Sequence, residues 1–473
     1  MDTFLQQLEH TLATREKRGL LRSTTLPRPN AVDFSSNDYL GFSRSTELHN
    51  RILKRSRAIL SLPHSNSSAS SSFQKSRLNT DDIDVPVERQ INASSGFRGY
   101  LSGTLSPSLT HAEVSGMSRD DLTQGSTGDN LKQRKELAPK IGSTGSRLLS
   151  GNSELYEAVE NKLCEFHEGE AALLFNSGYD LNLGFFGCVP QKNDIVVFDE
   201  LVHNSMREGF KLSRAKKLVP FVHNSPESLR NLLQKLQNDK SSSHSNVIVA
   251  IESVYSMDGH CAPIQAFLDV CADYGALLVV DEAHGLGVFG RDGRGLIDEV
   301  GCDQHPNLLA RIYTFGKALG AHGAVCICSS TLRTYLLNYC RPLIYSTSLS
   351  FHSLLVIDEG YEFLKIEAGR RQEKIRRLVK LFRKLSGIDS TCKGNRDLTL
   401  DSYSPIQGIL CPGNDQVNKL ARILQNEGFD AKPIRTPTVP EGSERIRIIL
   451  HYHNTEQEVI NFVKAVKTSR SSL

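Results

Sequence analysis

Arg311-Ile312-Tyr313-Thr314-Phe315-Gly316-Lys317-Ala318-Leu319-Gly320 is the stretch on which the fold turns. Residues 311–314 read as a strand, and a lysine follows among small residues and glycines. An uncrowded lysine at a strand end can reach a ligand, and its amine can form a Schiff base. Most lysines are solvated surface charges, so the rest of the chain must decide what this one does.

Working outward, apolar Val- and Ile-rich runs recur at 171–175, 195–198, 247–251, 277–280, 311–314 and 324–328. Helical patterns alternate with them. Uniformly apolar strands are those of a sheet covered on both faces, so an α/β fold with a large, mostly parallel sheet is expected. In such sheets ligands bind beyond the carboxyl ends of the strands. Polar residues follow those ends repeatedly: Asp199 and His203, Glu252 and Ser256, Asp281 and His284, Thr314 and Lys317.

Several of these residues suit one chemistry. Asp281, at the end of Val279-Val280-Asp281-Glu282-Ala283-His284-Gly285, can keep a pyridine nitrogen protonated. His284 can hydrogen-bond a ring hydroxyl, and the flat ring of His203 can stack on a cofactor. Phe175-Asn176-Ser177-Gly178-Tyr179-Asp180 reads as strand, turn and helix start, which offers backbone N–H groups to a phosphate. Arg435 and Arg447 flank a Pro-rich turn, and an arginine matches a carboxylate with two parallel hydrogen bonds. The turn Asp33 to Phe42 offers Asn37 as a substrate contact.

The 473 residues carry a formal net charge of +3, so no basic field points to nucleic acid or an anionic membrane. No apolar run is long enough to span a bilayer. The N-terminus reads as an amphipathic helix and lacks the apolar centre of a signal peptide. Ten cysteines are scattered without a CxxC pair, which argues for a reducing compartment, and no metal is expected. The organisation read from texture is an N-terminal helix and substrate-contacting turn over 1–53 and a Ser-rich, disordered insertion over 54–138. A large domain over 139–349 and a linking helix with a small C-terminal α/β domain over 350–473 complete it.

The segments SSNDYLGFS, GSTGSRLLSGN, FNSGYDLN, VHNSM, ESVYSMDGHCAPI, VDEAHGLGVFGRDGRG, TFGKALG, RPLIYSTSL and RTPTVPEGSERIRI together resemble the α-oxoamine synthases. These are pyridoxal-5'-phosphate enzymes of the class-II aminotransferase-like group, with the type I (aspartate-aminotransferase) fold. The resemblance covers the chain outside the insertion. It implies that Lys317 is the Schiff-base lysine and that Asp281 pairs with the pyridinium nitrogen. His284 and Ser256 would lie near the ring hydroxyl, and His203 would stack on the ring. Gly178, Tyr179 and Thr314 would hold the phosphate. Ser346 and Thr347 would reach the phosphate of a neighbouring subunit, making the active unit a homodimer. Arg447 would bind the amino-acid carboxylate beside Asn37, and Arg22 would lie near the acyl substrate.

SSNDYLG, IYSTS and RTPTVPEGS lean towards the family member that joins L-alanine to pimeloyl-CoA in biotin biosynthesis. Serine palmitoyltransferase, 5-aminolevulinate synthase and glycine C-acetyltransferase are the alternatives. A non-catalytic subunit would lack the lysine, and Lys317, Asp281 and His284 are all present. Two departures stand out. One is the insertion, and the other is Leu148, where some relatives carry a histidine. The final Ser471-Ser472-Leu473 is a loose relative of a peroxisomal signal, so a cytoplasmic or peroxisomal location is expected.

Overall fold

The computed structural model describes residues 2–18, 20–21, 24, 26, 28–60, 141–239, 245–388 and 399–470. Arg22, Ser471–Leu473 and residues 61–138 of the expected insertion lie outside these. Contacts gather residues 1–61 and 138–473 into one unit.

The strands of that unit are β1 (Val32–Asp33), β2 (Ala171–Phe175), β3 (Ile195–Asp199), β4 (Lys217–Phe221), β5 (Val247–Glu252), β6 (Leu277–Asp281), β7 (Leu308–Thr314), β8 (Ala324–Cys328), β9 (Ile406–Leu410), β10 (Phe429–Asp430), β11 (Lys432–Ile434) and β12 (Arg445–Ile449). Seven of them form the main sheet in the order β2-β8-β7-β6-β5-β3-β4. Pairing from β7 through β6, β5 and β3 to β4 is parallel. Alternate residues face two apolar layers. Val197, Val249, Ile251 and Val280 pack with Phe267 and Tyr361 on one face. Val196, Ile248, Val279 and Ile312 pack with Phe185, Phe186 and Phe210 on the other. This is the double burial that the apolar runs implied.

β8 is antiparallel to both β2 and β7, although its apolar run reads like those of the parallel strands. The cause is the connection: only residues 315–323 join β7 to β8, too few for a parallel crossover. The chain folds straight back, and the loop is closed by Phe315 N–H donating to Gly323 O (3.0 Å) and Ala321 N–H to Phe315 O (2.9 Å). Lys317 stands in that hairpin, with Ala318 and Leu319 buried beneath it. β4, absent from the sequence reading, is the sheet edge. Its partly exposed pattern and Pro220 hide it from an apolarity search, and an edge tolerates proline.

Ser350 caps a 36-residue helix, Phe351–Ser386, which ends at Gly387 in the left-handed region. A helix over Thr46–Leu60 packs on it and continues beyond residue 53, where sequence texture placed the start of the insertion. Arg55 pairs with Asp358 and Glu359, and Arg51 with Glu359. The C-terminal strands form a small antiparallel sheet in the order β11-β12-β9. β1 pairs in parallel with β10, and Ile449 N–H donates to Phe34 O at 2.8 Å. That clamp fixes the turn carrying Asn37 and Tyr39 against β12. Among the described residues no helix is long and apolar enough to cross a membrane.

Candidate active site

Glu252 and Asp281 are register partners at the carboxyl ends of β5 and β6. Both line an open cavity of about 260 Å³ together with Gly178, Tyr179, Asn182, His203, Ser205, His284, Thr314, Lys317 and others. Asp281 is held from two sides. Its Oδ2 accepts from Asn182 Nδ2 at 2.8 Å, and its Oδ1 from Ala283 N–H at 2.9 Å. Asn182 also donates to Ser205 Oγ (3.0 Å), which lies 2.8 Å from His203 Nδ1. The buried aspartate is therefore braced through the helix Gly178–Cys188.

Lys317 Nζ lies 2.7 Å from His284 Nε2, and His284 Nδ1 lies 2.5 Å from the Tyr39 hydroxyl. Tyr39 in turn donates to Asn37 Oδ1 (3.3 Å), which accepts from Arg447 Nη2 at 3.0 Å. A line of hydrogen bonds thus runs from the lysine to the arginine. Burial, reinforced by the charges of Lys317 and Arg447, pushes His284 well below the usual histidine range, so the ring is neutral. Burial holds the Tyr39 phenol above its ordinary value, so it stays protonated. The consistent arrangement has His284 donating from Nδ1 to Tyr39 and accepting from the lysine at Nε2. Burial of the amine lowers Lys317 to about 8, although Asp281 and Glu252 pull it upward.

At the other end of the cavity, Ser177 caps the helix Gly178–Cys188 by accepting from Asp180 N–H at 3.0 Å. The first-turn amides of that helix have no intrahelical acceptor and carry the positive end of its dipole. A Cβ on Gly178 would sit 3.2 Å from Thr314 Oγ1. The absent side chain leaves a cradle between the helix start and the threonine.

The sequence candidates divide accordingly. Lys317, Asp281, His284, His203, Gly178, Tyr179 and Thr314 converge on the cavity. Arg447 and Asn37 join through the hydrogen-bonded line. Ser256 is outside the lining and contributes its carbonyl, which accepts from Arg447 Nε at 2.6 Å. Arg435 sits in the turn after β11, also outside the lining. Ser346 and Thr347 lie along the 345–348 segment, where Thr347 O accepts from Asn176 Nδ2 at 2.8 Å. Leu148 and Leu149 are exposed. Tyr39, Asn182, Ser205 and Glu252 were not selected from sequence as site residues. All four lay inside quoted motifs, and Glu252 was also noted as a polar strand end.

Pyridoxal phosphate needs an amine for its aldehyde, a fixed carboxylate for its ring nitrogen and N–H donors for its phosphate. Lys317, Asp281 and the helix start at Gly178 supply these in one cavity. Asn182 Oδ1 and Glu252 Oε1, on two lining residues, are buried without a protein partner, as expected of a pocket shaped for a polar ligand. The residues fit the group.

Known proteins match this arrangement. A family model described as aminotransferase class I and II matches residues 113–466. An 8-amino-7-oxononanoate synthase of Emericella nidulans is 41% identical over 351 residues, covering 72% of this chain and 83% of the relative. Among solved structures, a serine palmitoyltransferase of Sphingomonas wittichii aligns with a TM-score of 0.63 at 29% identity, covering 71% of this chain and 81% of that one. A serine palmitoyltransferase from S. paucimobilis with bound PLP aligns with a TM-score of 0.64 at 25% identity, over 70% and 81% of the two chains. The chain belongs to the class I and II aminotransferase family, with the type I fold, as a pyridoxal-phosphate-dependent acyltransferase of the kind represented by the 8-amino-7-oxononanoate synthases.

Proposed function

We propose that the protein condenses L-alanine with pimeloyl-CoA, giving 8-amino-7-oxononanoate, CoA and carbon dioxide. The observation that carries the chemistry is the hydrogen-bonded line from Lys317 through His284, Tyr39 and Asn37 to Arg447. An amine of lowered basicity stands at one end of this line, and at the other stands the guanidinium that we assign to the amino-acid carboxylate. The choice of substrates rests on the Emericella relative and on the SSNDYLG, IYSTS and RTPTVPEGS segments.

When bound, pyridoxal phosphate supplies an electron sink for the charge left at the amino-acid α-carbon. Lys317 is its point of attachment. Asp281 holds a proton at the ring nitrogen, and Asn182 and Ala283 N–H keep that carboxylate from turning. His284 and the Ser256 segment would serve the ring hydroxyl, and His203 would cover the ring. Gly178, Tyr179 and Thr314 would hold the phosphate, and in a homodimer Ser346 and Thr347 would reach that of the neighbouring subunit. Arg447 and Asn37 bind the alanine carboxylate. Lys317, neutral above about pH 8, removes the α-proton. Carbon–carbon bond formation at the thioester expels CoA, the alanine carboxylate then leaves as carbon dioxide, and a proton is returned to that α-carbon in its place. Arg22 is the candidate for the acyl substrate, and Arg435 remains a candidate for a substrate carboxylate.

The serine palmitoyltransferase likeness supports a second reading, another amino acid with another acyl-CoA. CoA release decides between them, with L-alanine, L-serine and glycine crossed against pimeloyl-, palmitoyl-, succinyl- and acetyl-CoA. Preference for alanine with pimeloyl-CoA is expected, and preference for another pair overturns the substrate assignment while leaving the role of Lys317 intact. The location expected is cytoplasmic or peroxisomal. Deleting residues 471–473 and following a tagged protein tests the peroxisomal half.

A further inference from the structure

Away from the cavity, three side chains from two loops meet. His223 follows β4, and Asp258 and His260 lie in the loop after β5. His223 Nε2 is 3.0 Å from His260 Nδ1. Asp258 Oδ2 lies 3.7 Å from the first nitrogen and 3.6 Å from the second. A tetrahedral zinc with bonds of about 2.0–2.2 Å separates its ligand atoms by about 3.3–3.6 Å. The three edges of this triangle bracket that span.

The outer partners are those of a ligating histidine. His223 Nδ1 lies 3.0 and 3.2 Å from the two oxygens of Asp199, which is fully buried. Asp199 is itself fixed by the N–H groups of Leu201 (2.8 Å) and Asn224 (2.7 Å). A carboxylate behind one ring nitrogen keeps the proton there and turns the lone pair of the other towards the triangle. Tyr255 holds the His223 ring edge-on at 4.4 Å. Asp258 spends Oδ1 on His260 N–H (2.9 Å), which leaves Oδ2 facing the rings. The charged groups around the triangle are Asp199, Glu200 and Asp258 against Arg445, an excess of carboxylates that favours a cation. His260 is partly exposed, so a fourth position opens to water.

We infer that His223, Asp258 and His260 bind one divalent cation of the zinc class, which braces the loop of residues 253–261. Two imidazoles and one carboxylate are a borderline-soft donor set that suits zinc above magnesium or calcium. The loop carries Ser256, whose carbonyl holds Arg447, so the cation stiffens the support of that arginine without touching the reacting atoms. The search for cysteine pairs missed this site because its ligands come from histidine and aspartate. Binding of the cation does not depend on the substrate assignment above.

The test uses the pyridoxal-phosphate-loaded full chain, stripped with a chelator and dialysed against micromolar Zn2+. One zinc per chain is expected in the wild type and none at this site in His260→Asn, with His260→Gln as a second variant should the first fold poorly. Asp199→Asn is expected to weaken binding about 10–100-fold. Equal zinc content in wild type and both His260 variants overturns the site. A wild type that binds no zinc overturns it outright. Co2+ reads the donors directly: d–d bands alone are expected, and a thiolate charge-transfer band overturns the assignment.

Discussion

The ends of β5 and β6 carry carboxylates side by side in register, and the two behave oppositely. Asp281 has a partner for each oxygen, Asn182 on one side and Ala283 N–H on the other. Glu252 keeps one oxygen buried with no partner. Burial, with the negative charge of Asp281 beside it, drives the Glu252 carboxyl well above the usual range, while Lys317 pulls it back. Burial thus favours the protonated form of Glu252. What distinguishes them is hydrogen bonding, because both are almost fully buried. A charge survives in a dry site only where preset dipoles replace water.

The most severe way to break this contrast is to remove what both carboxylates face. Lys317→Ala is expected to lower CoA release by more than about 10⁴-fold, beyond the range of a single acid–base group. Activity within tenfold of wild type would refute the assignment of the amine. Next, Asp281→Asn should cost about 10²–10⁴-fold in turnover while cofactor absorbance is retained. Its charge also holds the Lys317 pKa up, so the rising limb of the pH–rate profile, near pH 8 in the wild type, should move to lower pH. An unmoved limb would mean that Asp281 does not act on the lysine.

A third carboxylate sharpens the comparison. Glu282 is buried outside the cavity and accepts from Ser253 Oγ (2.6 Å) and Ile297 N–H (2.7 Å). Burial still raises it from 4.5 to about 7, against those hydrogen bonds. An acid raised in the folded state binds protons there more tightly than in the unfolded chain. Its stabilising contribution is complete below about pH 4.5 and is lost as pH rises through about 7. Relative to Glu282→Gln, the wild type should lose up to about 3 kcal/mol between pH 4.5 and 8. Urea unfolding of both at the two pH values measures it, and parallel curves would show that Glu282 is not the titrating group. The smallest effect belongs to Glu252→Gln. A carboxyl whose charged form burial disfavours, replaced by an amide of the same shape, should change turnover less than about tenfold, near the worth of one neutral hydrogen bond. A loss equal to that of Asp281→Asn would erase the contrast between the two strand ends.

Sequence pattern carried the sheet and the convergence of polar residues on its carboxyl edge, because strand ends in a parallel sheet face one way. It could not carry direction: residues 324–328 are as apolar as their neighbours, and only the short 315–323 connection makes β8 run backwards. Lys317, Asp281 and His284 announced themselves by residue type and spacing. Tyr39 and Asn182 did not, since each acts through a partner far along the chain, His284 and Asp281 respectively. Glu252 was visible as a polar strand end, yet the upward push on its carboxyl comes from burial and from Asp281 on the neighbouring strand, which no local pattern reveals.

The pairing of β1 with β10, and of Phe34 with Ile449, ties the turn of residues 33–42 to strands made about 400 residues later. A ribosome delivers these in that order, at about 5–20 residues per second. Lys317, Asp281 and His284 emerge while the segment bearing Asn37 and Tyr39 still lacks its partner strands. Arg447, the far end of the line that begins at the lysine, arrives among the final residues. A chain cut short before β12 thus holds the amine and its aspartate but neither the anchored tyrosine nor the arginine. The line from the lysine to the arginine is complete only once β12 has been made.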